Sequence, residues 1–116
     1  MSRSEEKRPR VITWMGGESY LPLLQGEPET CGMRSGRVEL APGEEIGEHS
    51  TGDHEEVLVV IQGTGQVRVD GHDLLTIEGG QEAYIPPQST HNVRNTGDGT
   101  LRYIYVVAPV AATDDP

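Results

Sequence analysis

The chain has 116 residues, with 19 acidic residues against 9 lysines and arginines, and its formal net charge is −10 at pH 7. This length predicts one domain, and the acidity argues against nucleic acid or an anionic membrane as a partner, because both need a basic patch. The one cysteine, Cys31, permits no disulfide within the chain, so we expect a cytoplasmic protein. The N-terminal residues lack the apolar core of a secretory signal, and the longest strongly apolar stretch, residues 57–61, is too short to span a bilayer.

Glycine and proline divide the chain into short segments. Residues 1–10 are polar and basic and are predicted to form a flexible tail, as are residues 111–116 at the other end, which leaves residues 11–110 for the domain. The chain holds 15 glycines and 8 prolines, and residues 18–24 are the one window in which a helix fits. Regular turn signals between short apolar runs are typical of a β-sandwich or a β-barrel.

The runs between these turns are predicted to be strands. They span residues 37–40, 55–62, 66–69, 73–77, 83–85, 91–94 and 101–107. The second of these runs is apolar on both faces, which is typical of a central strand or of a strand at a subunit interface. Together with the last run it offers more apolar surface than a barrel of this size needs for its own interior. We therefore expect a homodimer.

Three of the four histidines lie where predicted strands begin. His54 and Glu56 are two residues apart on one strand and so point to the same face. His49 comes five residues earlier, before a glycine that lets the chain turn, and His91 would come from a neighbouring strand. Imidazole nitrogen and carboxylate oxygen suit Zn, Mn, Fe, Ni or Co. From spacing alone, a site for one divalent metal ion and ordinary surface histidines are equally good interpretations.

Two segments resemble the paired motifs of the cupin superfamily. GEEIGEH at residues 43–49, with Glu56 and Gly63 downstream, resembles Gly-x5-His-x-His-x3–4-Glu-x6-Gly. GQEAYIPPQSTHNVRN at residues 80–95 resembles the second motif, Gly-x5-Pro-x-Gly-x2-His-x3-Asn. The two occur in order and at the expected separation. The resemblance implies an all-β fold, the cupin double-stranded β-helix or jelly-roll barrel, and it is also consistent with a dimer.

Carried over by position, the resemblance assigns His49 as the first metal histidine, Glu56 as the metal glutamate and His91 as the histidine of the second motif. Glu56 has an alternative role as a hydrogen-bond partner of a ligand rather than a ligand itself. His54 adds a fourth candidate, so the predicted metal ligands are His49, His54, Glu56 and His91.

The sequence departs from the cupin motifs at two positions. Thr51 stands where the first motif usually has its second histidine, and Gln88 stands in place of the glycine of the second motif. His54 lies on the face of Glu56, so it can replace the absent histidine; the alternative is that His54 lines the cavity and contacts no metal.

Tyrosines and arginines are weaker candidates. The tyrosines on or beside predicted strands are core or cavity residues, and the arginines either contact an anionic substrate or lie on solvated faces. They are Tyr84, Tyr103 and Tyr105, and Arg37, Arg68, Arg94 and Arg102.

The fold implied by the resemblance hosts many activities, so function depends on the site. A metal ion with open positions polarises a carbonyl or binds an enediol, and iron activates O2. The first hypothesis is therefore a metalloenzyme of isomerase, decarboxylase or dioxygenase type acting on a small oxygenated substrate. The alternative is a non-catalytic module that binds or senses a small ligand, which the lack of an obvious further acid, base or nucleophile favours.

Overall fold

The computed structural model describes residues 7–111, and every regular element in this range is a β-strand. Residues 1–6 and 112–116, which belong to the two predicted tails, lie outside the described residues. No helix in the described range is long and apolar enough to cross a membrane. The strands are β1 (Tyr20–Gln25), β2 (Arg34–Leu40), β3 (His49–Ser50), β4 (His54–Gln62), β5 (Thr64–Val69), β6 (Leu75–Glu78), β7 (Glu82–Ile85), β8 (Thr90–Asn95) and β9 (Leu101–Pro109).

The strands form two antiparallel sheets around one core. The first sheet has the order β1-β2-β9-β4-β7 and the second β3-β8-β5-β6. Alternate residues of each strand point inward, so that Leu58 and Ile85 of the first sheet and Val67 and Val93 of the second are at most 1% exposed. This arrangement confirms the predicted double-stranded β-helix.

Strand β1 lies in the one window in which a helix would have fitted, so this segment also belongs to the all-β fold. The strand pairs only with β2, and its register shifts between Pro22 and Leu24. Proline has no N–H to donate to a neighbouring strand, and it is tolerated here because β1 is at the edge of the sheet. The conformation of this segment is decided by its pairing with β2, and no local sequence pattern reports that pairing.

Gln88, which stands in place of the motif's glycine, has a backbone conformation that favours glycine. Its φ is 55°, in the left-handed region, which costs a non-glycine residue about 1–2 kcal/mol. The backbone N–H of Gln88 donates to the carbonyl of Gly52 at 2.9 Å, and Nε2 donates to Oδ1 of Asp53 at 2.9 Å. These bonds tie the loop before β8 to the loop before β4, so the turn of the second motif forms without its glycine.

Arg37 is buried rather than solvated, which corrects the default expectation for its side chain. It is 2% exposed and points away from the core, on the outer face of the first sheet. Its guanidinium donates hydrogen bonds to the carbonyls of Trp14, Gly16 and Glu18. The segment before β1 therefore lies across the outer face and is fastened there by one side chain. We call residues 14–18 the N-terminal strap.

Candidate metal centre

Three of the predicted ligands meet between the two sheets. His49 on β3 pairs directly with His91 on β8, and the centroids of the two rings are 4.1 Å apart. Glu56 reaches from β4 in the other sheet, and its Oε1 lies 3.1 Å from Nε2 of His91. One ligand atom from each residue lies within 4.8 Å of the others. A metal ion bonded to each at about 2.0–2.2 Å fits such a group with little movement.

Backbone carbonyls fix both imidazole rings. Nδ1 of His49 is 3.0 Å from the carbonyl oxygen of Gly47, and Nδ1 of His91 is 3.1 Å from that of Ser89. A carbonyl oxygen only accepts hydrogen bonds, so Nδ1 carries the proton in each ring. In the neutral form of either ring, Nε2 is then the nitrogen left to bind a metal ion, which is the usual arrangement of metal-bound histidines.

The buried Nε2 of His91 has no hydrogen-bond partner among the described residues. Its contact with Glu56 has the length of an ion pair, but its geometry is not that of a hydrogen bond. A lone pair and a carboxylate at this distance repel each other unless a cation is shared between them. Burial lowers the pKa of His91, yet the neighbouring Glu56 and the Ser89 carbonyl outweigh it, so the pKa is raised above its ordinary value. The donor set therefore favours a cation, either a proton or a metal ion.

His54 is not part of this group. It begins β4 opposite Pro109, is half-buried, and does not line the pocket described below. Its role as a replacement ligand stays a prediction. Thr51, at the position of the missing histidine, is buried: its Oγ1 donates to the carbonyl of Pro86 at 2.8 Å and accepts from the N–H of Ser89 at 3.0 Å. The Thr51 side chain therefore links the loop before β4 to the loop before β8.

A pocket of about 370 Å³ opens beside the metal-ligand group. His49 and Glu56 form part of its wall, and the deeper His91 lies behind them, fully buried. The remaining wall is mixed, as is usual for small-molecule sites of this size. Its apolar members include Leu24, Val38, Ile46, Val93 and Val107, and its polar members include Tyr20, Arg34, Tyr103 and Tyr105.

Two of the three candidate tyrosines line this pocket. Burial raises the pKa of Tyr103 and of Tyr105 well above the ordinary value, so both remain protonated at neutral pH. Tyr84 instead lies on the outer face, where its hydroxyl donates to Glu55 at 2.9 Å. Sequence reasoning missed Tyr20 and Arg34, because the first lies on the unrecognised β1 and the second in the unrecognised start of β2.

Comparison with known proteins agrees with this architecture. Residues 36–107 match the family model described as Cupin domain. The chain is 36% identical over 118 residues to the protein named polyketide synthase CurC from Streptomyces cyaneus, covering 92% of this chain and 74% of the relative. It is 30% identical over 87 residues to tetracenomycin polyketide synthase protein TcmJ from Streptomyces glaucescens, covering 72% of this chain and 58% of the relative.

Solved structures share the fold at lower sequence identity. An RmlC-like cupin family protein from Methanocaldococcus jannaschii superposes with a TM-score of 0.73 at 17% identity, covering 87% of this chain and 91% of that one. A predicted oxalate decarboxylase from Thermotoga maritima superposes with a TM-score of 0.65 at 17% identity, covering 87% and 100%. These likenesses show the fold alone.

Proposed function

Because the chain belongs to the cupin-domain family, we propose that it binds one divalent metal ion through His49, Glu56 and His91 and acts on an oxygen-rich small molecule of polyketide type. The observation that carries this proposal is the buried Nε2 of His91, which faces Glu56 at 3.1 Å without a hydrogen-bond partner in the described range. A buried group of this kind needs a cation. The two imidazoles and the carboxylate match zinc, manganese, iron, nickel and cobalt.

Each residue has a distinct task in this proposal. Nε2 of His49, Nε2 of His91 and a carboxylate oxygen of Glu56 hold the ion, and the carbonyls of Gly47 and Ser89 keep the two rings in the right tautomer. A divalent ion held there supplies Lewis acidity, which polarises a carbonyl and stabilises an enolate. With only three protein ligands, such an ion would keep room for a substrate oxygen, and the pocket adjoins the exposed His49.

The substrate class follows from the relatives and from the pocket. Two relatives carry polyketide synthase in their names, and polyketides hold carbonyl groups on alternate carbon atoms. Neighbouring oxygens of this kind form a 1,3-dicarbonyl unit, which binds a divalent cation through both oxygens. The apolar wall of Leu24, Val38 and Val107 suits the carbon skeleton. Isomerisation and decarboxylation of such a compound both pass through an enolate.

The proposal is tested by removing metal with a chelator and titrating the protein at neutral pH with Zn²⁺ and with Mn²⁺. We expect one ion per chain. The 1,3-diketone benzoylacetone, followed by its ultraviolet absorbance, should then bind the loaded protein and not the metal-free protein. The matched control is His72→Ala, because His72 is exposed on a turn outside the pocket. Failure of the unmodified protein to take up either ion would refute the proposal.

A binding module without turnover is the second candidate. Tyr103 and Tyr105 are protonated at neutral pH because burial raises the pKa of each, so they are hydrogen-bond donors rather than bases. Product analysis distinguishes the two functions: conversion of benzoylacetone by protein loaded with Zn²⁺, or with Fe²⁺ in air, identifies an enzyme. Bound but unchanged diketone with every ion favours the binding module.

A further inference from the structure

Two tyrosine hydroxyls meet on the wall of the pocket formed by β1, β2 and β9. The hydroxyl oxygens of Tyr20 on β1 and Tyr105 on β9 are 2.5 Å apart, although β2 lies between these two strands. Gly36 occupies β2 at this crossing, where a Cβ atom would lie 2.6 Å from the hydroxyl of Tyr105. Glycine within a strand is destabilising, so its presence here calls for a structural reason. Because Gly36 has no side chain, the Tyr105 ring can lie over β2 and its hydroxyl can reach that of Tyr20.

The tyrosine pair has an unused hydrogen-bond donor. One hydroxyl donates to the other, and the second O–H has no partner among residues 7–111. Burial raises the pKa of Tyr105, and the hydrogen bond with Tyr20 raises it further, so Tyr105 stays a neutral phenol at physiological pH. The pair therefore presents a donor to any acceptor that enters the pocket.

Arg34 contributes a positive charge to the wall of the pocket. It lies in one cross-strand row with Val107 and Glu56, so its side chain shares the inner face with theirs. The row crosses two strand spacings, which places the Cα atoms of Arg34 and Glu56 about 10 Å apart. Arg34 is exposed, and no carboxylate of the described range lies within 4.0 Å of its guanidinium.

We infer that Tyr20, Tyr105 and Arg34 bind a second, acidic oxygen of the substrate, such as a phenolate, enolate or carboxylate, at the part of the pocket wall formed by β1, β2 and β9. The inference rests on the proposed function, because the metal-ligand group supplies the other anchor. It makes these three residues determinants of substrate length and charge. A substrate that fits carries its acidic oxygen on an apolar skeleton, away from the oxygens that face the metal ligands.

The negative net charge of the chain opposes the binding of an anionic oxygen, so local donors have to compensate for it. At a net charge of −10 the protein repels anions. An anionic oxygen is bound only where a guanidinium and neutral donors act together at short range. A hydrogen bond to a charged group corresponds to about a tenfold change in affinity or more, so removing one donor should be measurable.

The test compares two matched probes on Zn²⁺-loaded protein. One is benzoylacetone, and the other is the same diketone with a carboxylate at the far end of its ring. We expect the carboxylated probe to bind the unmodified protein about tenfold more tightly. This ratio should fall to about one in Tyr105→Phe and in Arg34→Gln. Zn²⁺ affinity is measured for each variant to show that the metal-ligand group is intact. Tyr84→Phe, which removes a phenol from the outer face, should keep the ratio.

Other results separate this inference from the proposed function. A ratio of one in the unmodified protein, or a tenfold ratio retained in both variants, overturns the inference and leaves metal binding untouched. If the protein takes up no Zn²⁺, the proposed function fails and the two probes are compared on the metal-free protein. Preference for the carboxylated probe that is lost in Tyr105→Phe then supports the inference by itself. Absence of that preference overturns it.

Discussion

Two buried charged centres lie on opposite faces of the five-stranded sheet, and their construction differs. On the outer face, the guanidinium of Arg37 donates to three backbone carbonyls of the N-terminal strap. On the inner face, Oε1 of Glu56 lies 3.1 Å from Nε2 of His91, and the two atoms do not have the geometry of a hydrogen bond. The first centre pairs donors with acceptors. The second places two electron-rich atoms together.

The two centres show that a buried atom without a hydrogen-bond partner indicates a binding site only if that atom can bind a cation. Within residues 7–111, Nε of Arg37 is also buried without a hydrogen-bond partner, and the carboxylate of Glu39 lies 3.8 Å from Nη2. A guanidinium has only donors and binds no cation, so Arg37 fastens a segment of chain. An imidazole lone pair beside a carboxylate does bind a cation. Only the inner centre is therefore a candidate site.

The largest effect on folding stability is expected at the outer centre. Arg37→Met keeps most of the side-chain volume but leaves the three strap carbonyls without their donor. We expect the free energy of unfolding in urea to fall by about 3 kcal/mol or more, with metal uptake unchanged. Arg68→Met is the control, because Arg68 is half-exposed in its ion pair with Glu48 and should cost less than about 1 kcal/mol. Equal stability of the two variants would show that Arg37 does not fasten the strap.

At the inner centre we expect a large loss of metal affinity and a smaller loss of folding stability. His91→Ala is expected to lower metal affinity by about a hundredfold or more, while the metal-free protein loses less stability than Arg37→Met does. Isothermal titration with Zn²⁺ and urea unfolding measure the two quantities.

His54→Ala completes the comparison of possible ligands. A loss of Zn²⁺ affinity similar to that of His91→Ala would make His54 the replacement for the missing histidine. Unchanged affinity would leave His49, Glu56 and His91 as the protein ligands.

We expect the homodimer contact to lie on the outer face. Beyond the strap, its central strands present half-buried or exposed apolar side chains, among them Val59, Ile61 and Ile104. We expect light scattering to report a mass about twice 12.6 kDa at micromolar concentration. Val59→Lys should weaken association about tenfold or more, because a charge is costly at an apolar contact. Leu74→Lys, on an exposed loop before β6, should leave the mass unchanged. A monomeric unmodified protein would contradict the dimer.

The smallest effect is expected from pH. In the metal-free protein the pKa of His91 is raised, so its protonation stabilises the fold below about pH 6.5 and this contribution disappears as the pH rises through the raised pKa. Metal binding has the opposite sign, since the ion competes with the proton for Nε2. Melting temperatures of the metal-free and Zn²⁺-loaded protein should therefore diverge as the pH increases. Parallel curves would argue against a shared site on His91.

Local sequence by itself determined much of the fold and most of the site. Turn residues and alternation placed the strands from β4 onward, because both are properties of neighbouring residues. The resemblance to the two cupin motifs pointed to His49, Glu56 and His91, which the structure brings together, and their role as metal ligands stays a prediction.

Only the tertiary structure decided β1, β3, the burial of Arg37 and the far wall of the pocket. β1 is an edge strand whose hydrogen bonds come from β2, and β3 has two residues and therefore no period to recognise. Arg37 is buried by carbonyls that lie 19 to 23 residues earlier in the chain. The meeting of Tyr20 and Tyr105 needs a third strand between them and a glycine in it. Contacts between residues so far apart in sequence leave no local pattern, because the partner that satisfies each group is chosen only when the sheets assemble.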